Sequence, residues 1–224
     1  MRVANHIYWS PANIADAIVL AGETGAEMMA RLDWMTLKPI VIVEIGQQTK
    51  AVSEQLRARY PDATVMTIQG STIETGTAAA ELLTLPAQHV DLIFANLLMP
   101  WPDSETPSLL LKAWRRLLRP EGLLMVTVLG PDTLQACEET VDTVALPYFL
   151  DMHNLGDMLL QTGFADPVLD VDYYTVTSRD NTPCQINYEI IYAHAFAVDV
   201  QTQQTDGTVS VSLSQLRRQL RGKS

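Results

Sequence analysis

Four short runs of apolar, often β-branched residues recur through the first part of the chain. They occupy residues 40–45, 63–68, 90–95 and 123–129. Unbroken runs of this kind are typical of strands that are buried on both faces, and helical stretches at residues 49–59 and 104–118 lie between them. Alternation of strand and helix predicts an α/β domain, in which helices cover both faces of a mostly parallel sheet.

The remaining segments predict more helices and a different far edge for this sheet. A helix at residues 13–34 precedes the first strand, and we expect it to break near Gly22 and Gly25. Looser alternation at residues 168–177, and a run rich in Ile, Tyr and Val at residues 186–198, predict two edge strands with one antiparallel pair. Further helices are predicted at residues 132–141, 154–162 and 213–221.

The ends of the predicted strands indicate where a ligand would lie. In open parallel sheets, ligands bind in the crevice outside the carboxyl ends of the strands. The residues that follow the four apolar runs are Gly46, Gln69, Asn96 and Gly130. We therefore expect the functional site to include this edge of the sheet.

Composition narrows the classes of partner. The 224 residues are 47% hydrophobic and carry a formal net charge of −11, which suits one large domain and argues against nucleic acid as the main partner. Two basic clusters are interpreted either as solvated helix faces or as docking patches for an acidic partner. They are Lys112, Arg115, Arg116 and Arg119, and Arg217, Arg218, Arg221 and Lys223.

Cysteine usage and hydropathy bear on location and on metals. Cys137 and Cys184 form no CxxC pair, so neither a zinc site nor a disulfide framework is predicted, and no metal is expected. No signal-peptide pattern is seen, which together with the cysteines predicts a reducing, cytoplasmic location. No apolar run reaches the roughly 18 residues of a membrane span, so no membrane partner is expected.

An ordered series of motifs carries a family resemblance. The motifs are Asn96-Leu97, residues 118–122 (Leu-Arg-Pro-Glu-Gly), 129–134 (Leu-Gly-Pro-Asp-Thr-Leu), 149–153 (Phe-Leu-Asp-Met-His), 163–167 (Gly-Phe-Ala-Asp-Pro), 188–194 (Tyr-Glu-Ile-Ile-Tyr-Ala-His) and 212–220 (Ser-Leu-Ser-Gln-Leu-Arg-Arg-Gln-Leu). Taken together, they resemble the malonyl-acyl-carrier-protein O-methyltransferases of biotin synthesis, which are class I enzymes that use S-adenosylmethionine (SAM). The match is densest from Asn96 onward.

The resemblance implies a fold, a cofactor and a partner. The fold is the Rossmann-like class I methyltransferase fold, with a mostly parallel sheet and an antiparallel far edge. Residues 1–36 would form an N-terminal helical segment, and residues 37–224 the methyltransferase-like domain of a chain that is a single domain overall. The cofactor is SAM, the reaction is methyl transfer to a malonyl carboxylate, and the partner is an acyl carrier protein or an active relative.

The cofactor-binding region departs from the family pattern. The family has an acid and three alternating glycines after the first strand; Glu44 and Gly46 match, but Gln48 and Lys50 replace the other two glycines. Gln69 replaces the acid that binds the ribose hydroxyls, and its accepting bond lacks the strength that charge provides. Only 21 residues separate Gln69 from Asp91, which predicts a fold shortened around the third strand.

These departures lead to three hypotheses. The first is a degenerate methyltransferase-fold protein with weak or lost SAM binding, which acts as a binding partner. The alternative is an active SAM-dependent carboxyl O-methyltransferase that acts on malonyl-carrier protein. A third is a changed chemistry on the same fold, because the wider family resembles a mitochondrial complex I assembly hydroxylase.

Further site residues follow from the same resemblance, each with a structural alternative. Asn96 either lines the cofactor site near the methyl group or caps the end of a strand. Asp132, at the start of a predicted helix, is a substrate candidate or an N-cap. His153 is a substrate candidate or makes a structural hydrogen bond. Tyr188 and His194 lie six residues apart on one strand and so share a face, where they either line the substrate pocket or are satisfied core residues.

Overall fold

The computed structural model describes residues 14–46, 50–69, 84–98, 104–133, 149–177 and 185–198. The helices are α1 (Ile14–Arg31), a 3-10 turn (Leu32–Trp34), α2 (Lys50–Arg59), α3 (Thr106–Leu117) and α4 (Met152–Gln161). The strands are β1 (Val41–Gly46), β2 (Thr64–Gln69), β3 (Val90–Leu98), β4 (Leu118–Leu129), β5 (Phe164–Thr177) and β6 (Gln185–Ala197). Each of the six predicted strands is present within a few residues of its expected bounds.

The six strands form one sheet in the order β2-β1-β3-β4-β6-β5. The pairings of β1 with β2, β1 with β3, and β3 with β4 are parallel. Strand β6 runs antiparallel to both β4 and β5. The α/β prediction with an antiparallel far edge is therefore confirmed. The expectation of a single antiparallel pair was wrong, because the one reversed strand lies between two neighbours.

Apolar residues alternate between the two faces of the central strands. Ile42 and Leu92 pack on one face with α1 and α2, while Val43 and Ile93 pack on the other face with α3 and α4. All four side chains are fully buried. Full burial on both faces explains why these strands have nearly continuous apolar runs rather than an alternating pattern.

Helix α1 continues through both of its glycines, which corrects the predicted break. A Cβ atom at Gly25 would lie 2.6 Å from Val52 Cγ2 and 3.1 Å from Asn96 Nδ2, whereas one at Gly22 would meet nothing within 4 Å. Gly25 therefore allows α1 to pack closely against α2 and the end of β3. The glycine is needed for this close packing between elements and does not end the helix.

Several predictions fall outside the described residues. These are most of the helix at residues 132–141, the helix at residues 213–221, and residues 70–83, where the shortening around the third strand was expected. Within the described residues, β2 is one edge of the sheet. The division into residues 1–36 and 37–224 stays a prediction, and the described part of the first segment packs against the core of the second.

Candidate functional site at the carboxyl edge of the sheet

The residues predicted to bind the cofactor meet at one edge of the sheet. Gly46 ends β1, where it is in register with Gln69 on β2 and with Asn96 on β3. Glu44 lies two residues earlier on β1. Of the predicted set, Gln48 and the side chain of Gln69 lie outside what the structure describes. The backbone of this edge thus has the arrangement that the sequence predicted, while the roles of its residues stay predictions.

Glu44 is a buried acid, and one of its carboxylate oxygens accepts no hydrogen bond from the described residues. Its side chain is only 3% exposed, and its Oε2 atom has no hydrogen-bond partner among the described residues. Burial raises the pKa of its carboxyl group to about 7, against smaller opposing effects of a hydrogen bond with Thr67 and the charge of Arg57. An unpaired buried acceptor beside Gly46 is a natural position for a ligand that donates hydrogen bonds.

Asn96 is engaged in a buried polar network that joins α1 to the sheet. Its Nδ2 atom donates to the Ala21 carbonyl at 2.8 Å, and its Oδ1 atom accepts from the hydroxyls of Thr24 and Thr127, each at 2.9 Å. The Thr127 hydroxyl in turn accepts from the backbone N–H of Leu97 at 2.7 Å. Asn96 therefore fixes the position of α1 beside the end of β1; its predicted contact with the methyl group stays a prediction.

Glu189 is a buried acid that the sequence analysis did not select. Its Oε2 atom accepts from the backbone N–H of Asp132 at 2.7 Å, and its backbone carbonyl accepts from that of Gly130 at 2.9 Å. Its own N–H donates to the Thr133 hydroxyl at 3.1 Å. A charged residue at a core-facing position of an apolar strand was the signal available in the sequence.

Asp132 lies in the turn that follows β4, next to Glu189. The negative charge of Glu189, and to a smaller extent the charge and hydrogen bond of Asp132, raise the pKa of the Tyr173 hydroxyl. The structure thus brings one predicted substrate residue, Asp132, to the carboxyl edge together with a second carboxylate. The helix that Asp132 was expected to begin lies mostly outside the described residues.

The other three substrate candidates do not lie together in one site. Tyr188 is 1% exposed and packs in the core on the α1 face. His194 is in register with Met125 in the middle of β4, so six residues of strand, roughly 20 Å, separate it from Tyr188. His153 is 89% exposed at the start of α4, where its backbone N–H donates to the Asp151 side chain.

His194 contributes to a separate, mainly apolar cavity of about 480 Å³. This cavity lies between the end of α1 and the strands β4, β5 and β6, with Met28, Trp34 and Phe196 among its lining residues. Burial, with a smaller effect from the positive charge of Arg31, lowers the pKa of the His194 imidazole. The cavity is displaced toward the middle of the sheet and does not include the predicted cofactor residues.

One residue of the first basic cluster, Arg115, is packed inside the protein rather than exposed. Arg115 is 7% exposed and donates from Nε to the Gly163 carbonyl at 2.9 Å, so it joins α3 to the turn before β5. Arg116 donates to the Leu85 carbonyl, and Arg119 forms an ion pair with Asp91 at 2.8 Å. The interpretation of Arg115 as part of a solvated helix face or docking patch was wrong, because Arg115 lies on the packed side of α3.

The described residues contain neither a candidate metal site nor a membrane-spanning helix. No cluster of three or more His, Cys, Asp or Glu side chains there has a geometry that would hold a metal ion. Within the same part of the chain, no helix has both the length and the apolar character needed to cross a membrane.

Comparisons with known structures define the class of protein. Residues 25–126 match a family model described as a methyltransferase domain. A SAM-dependent methyltransferase from Archaeoglobus fulgidus superposes with a TM-score of 0.55 at 11% identity, covering 83% of this chain and all of that one. Phosphoethanolamine N-methyltransferase 2 of Haemonchus contortus superposes with a TM-score of 0.52 at 11% identity, covering 78% and 53%. The chain has the Rossmann-like class I methyltransferase fold.

Sequence relatives narrow this class to one family. The malonyl-[acyl-carrier protein] O-methyltransferase of Gallionella capsiferriformans is 32% identical over 201 residues, which cover 79% of this chain and 69% of the relative. The enzyme of the same name from Methylovorus is 32% identical over 203 residues, covering 80% and 68%. This chain belongs to the malonyl-[acyl-carrier protein] O-methyltransferase family, as the motifs from Asn96 onward predicted.

Proposed function

We propose that this protein is an active carboxyl O-methyltransferase that transfers the methyl group of SAM to the malonyl group of an acyl carrier protein. The observation that carries the proposal is the family relationship, which spans about four-fifths of the chain and includes relatives with that name. The proposal replaces the hypothesis of a degenerate binding protein as the leading interpretation.

The carboxyl edge of the sheet fits such a cofactor. SAM offers an ammonium group and ribose hydroxyls as donors, and Glu44 provides a buried acceptor without a described partner. Gly46 lets Glu44 and Asn96 approach the backbone closely, since a Cβ there would lie 3.2 Å from Glu44 Oε1 and 3.3 Å from the Asn96 carbonyl. Glu44 and Gly46 would hold the cofactor, while Asn96 keeps α1 in place next to them.

The hypothesis of lost SAM binding rests on side chains that the structure does not describe. Gln48 lies outside the described residues, and so do the side chains of Lys50 and Gln69. The described part of the edge retains the first-strand acid, Glu44, and the glycine that follows it, Gly46. Loss of SAM binding is therefore an outcome for the experiment below to establish or exclude.

The proposed reaction asks little acid–base chemistry of the protein. SAM supplies an electrophilic methyl group on a sulfonium, and the accepting malonyl carboxylate is already ionised near neutral pH. No general base is required, so the residues act by aligning the carboxylate with the methyl carbon and by excluding water.

Direct measurement of binding and turnover tests the proposal. We expect calorimetry to give a Kd for SAM on the order of 1–100 μM, and mass spectrometry to show one methyl group added to malonyl-carrier protein. Acetyl-carrier protein is the matched control, because it lacks the free carboxylate and should remain unmodified. SAM binding without transfer would point to a different acceptor. Failure to bind SAM or its demethylated product would restore the degenerate hypothesis.

Docking of the carrier protein leads to a further prediction. With Arg115 buried, we expect the acidic carrier to depend on Arg217 and Arg218, the remaining basic cluster of the sequence. The double reversal Arg217→Glu with Arg218→Glu should raise the Kd for malonyl-carrier protein about 10-fold at low salt, with a smaller effect at high salt. Anisotropy of a labelled carrier is the measurement. Equal affinities for this variant and wild type at low salt would exclude electrostatic docking through this cluster.

A further inference from the structure

The turn after β4 is held by an unusually complete set of contacts to one residue. Both the backbone and the side chain of Glu189 bind the turn, through Gly130, Asp132 and Thr133. The Thr133 hydroxyl also lies 3.2 Å from the Glu189 carbonyl. Glu189 and Thr133 are 8% and 3% exposed, so the bonds between these two residues are shielded from water, while the bond from the Asp132 N–H is partly buried. The carboxylate therefore sets where the chain goes after it leaves β4.

Gly130 is adapted to this contact. A Cβ atom at position 130 would lie 2.4 Å from both Cδ and Oε2 of Glu189, which is closer than real atoms approach. A side chain at this position would therefore displace the carboxylate from Asp132. The glycine and the acid are matched to each other sterically as well as through the hydrogen bond between Gly130 N–H and the Glu189 carbonyl.

The location of this turn relative to the cofactor residues indicates which reactant it would contact. Glu44, Gly46 and Asn96 occupy the ends of β1 and β3, and β4 is the next strand of the sheet. A ligand in such a sheet lies outside the carboxyl ends of the strands. A second reactant beside the cofactor would therefore face the end of β4, where Asp132 and its neighbours lie.

We propose that Glu189 is a positioning residue for the acceptor substrate: it fixes the turn at residues 130–133 so that this turn forms the acceptor side of the site. This inference rests on the proposed function and adds a residue to it. Glu189 acts through the turn and need not touch the substrate. A residue with a purely structural role would change stability and all kinetic constants together, whereas this one affects the acceptor selectively.

Kinetic constants for the two substrates separate these roles. We expect Glu189→Ala to raise the KM for malonyl-carrier protein about 10-fold and to leave the KM for SAM within about twofold of wild type. Glu189→Gln keeps an acceptor oxygen at the same position and should restore most of the affinity. Glu54→Ala, at an exposed position on α2, is the matched control and should behave as wild type.

Gly130 provides a second, independent variant. Gly130→Ala in the wild-type background should mimic Glu189→Ala, because the new methyl group expels the carboxylate. In the Glu189→Ala background the methyl group has room, so Gly130→Ala should add little further loss. This non-additivity tests the contact itself. Amide hydrogen exchange at residues 130–133 should show lost protection in both single variants and retained protection in Glu189→Gln.

The outcomes distinguish this inference from the proposed function. If wild type binds SAM but methylates no malonyl-carrier protein, the proposed function fails. Unchanged amide exchange at residues 130–133 in Glu189→Ala would separately refute the claim that Glu189 fixes this turn. If wild type is active and Glu189→Ala raises both KM values equally, or neither, the positioning role is overturned. Additive effects of Gly130→Ala and Glu189→Ala would refute the steric match.

Discussion

Replacing Asn96 by alanine is expected to lower the free energy of unfolding by roughly 3 kcal/mol, one of the two largest effects predicted for a single substitution in this protein. The change removes the acceptor for the Thr127 hydroxyl and the donor to the Ala21 carbonyl, and all of these groups are buried. Thr24 loses one of its acceptors but keeps another, since its hydroxyl also lies 2.9 Å from the Leu20 carbonyl. Chemical denaturation monitored by circular dichroism gives the measurement.

A matched variant shows whether burial is the cause. Asn187 on β6 also accepts a bond from a threonine hydroxyl, that of Thr175 at 2.9 Å, but at an exposed position. Asn187→Ala should therefore change the free energy of unfolding by less than about 1 kcal/mol. If Asn96→Ala and Asn187→Ala destabilise the protein equally, the buried network contributes no more than an ordinary surface bond.

Loss of this network is also expected to disturb the geometry of the cofactor site. The Asn96 carbonyl and the position of Gly46 are adjacent, and Nδ2 of the same residue holds α1. When α1 shifts, the end of β3 is free to move relative to the end of β1. We therefore expect Asn96→Ala to weaken SAM binding at temperatures where the variant is still folded.

The sequence was sufficient to predict the central strands because β1 and β3 are buried on both faces. Residues 40–45 and 90–95 are apolar except for one acid each, Glu44 and Asp91, and such runs have few alternatives to a central strand in a chain with intervening helices. The carboxyl edge followed from the same reasoning, since the parallel order places Gly46, Gln69 and Asn96 in register.

Hydrogen-bond partners that lie far apart in the sequence could not be predicted in this way. Asn96 was located correctly at the end of a strand, but its main partner on α1 lies 75 residues earlier in the sequence. The contact depends on how closely α1 packs, which in turn depends on Gly25. Read as a local signal, that glycine predicted a helix break, since its tertiary packing role leaves no trace in the neighbouring residues.

The burial of Arg115 and the role of Glu189 were not predicted, because the charge of each residue was given more weight than its position on an apolar face. Arg115 follows Leu111 by four residues and so lies on the apolar face of α3, which its burial confirms. Glu189 alternates with Ile191 and Ala193, which both face the core. Periodicity indicated burial in each case, and a buried charge needs specific partners that only the fold could identify.

Glu44→Gln is the variant expected to separate stability from function. The pKa of the wild-type carboxyl is about 7 in the folded protein, against 4.5 for an unperturbed group. Between these values the folded state binds more protons than the unfolded state, so the free energy of unfolding falls as pH rises from about 4.5 to about 7. Glutamine has no charge to bury, so the variant should be more stable than wild type by roughly 2 kcal/mol at pH 8.

The same substitution should weaken the cofactor complex. If Glu44 accepts a hydrogen bond from SAM, its ionised form is the one that binds tightly, and a charge-assisted bond contributes roughly 1.5–3 kcal/mol. We expect the Kd of Glu44→Gln for SAM to rise about 10- to 100-fold at pH 8. The Kd of wild type should fall as pH rises through 7, whereas that of the variant should stay flat.

Calorimetry and thermal denaturation at pH 5, 6, 7 and 8 test both halves of this prediction, with Glu54→Gln as the exposed control. Stabilisation of Glu44→Gln at pH 8 that has largely disappeared at pH 5 would locate the buried charge at this carboxyl group. A variant that is stabilised yet binds SAM as tightly as wild type would show that Glu44 is merely buried beside the site. A stability difference between Glu44→Gln and wild type that stays constant from pH 5 to pH 8 would contradict the raised pKa itself, because a carboxyl group with a raised pKa destabilises wild type progressively as it ionises over this range.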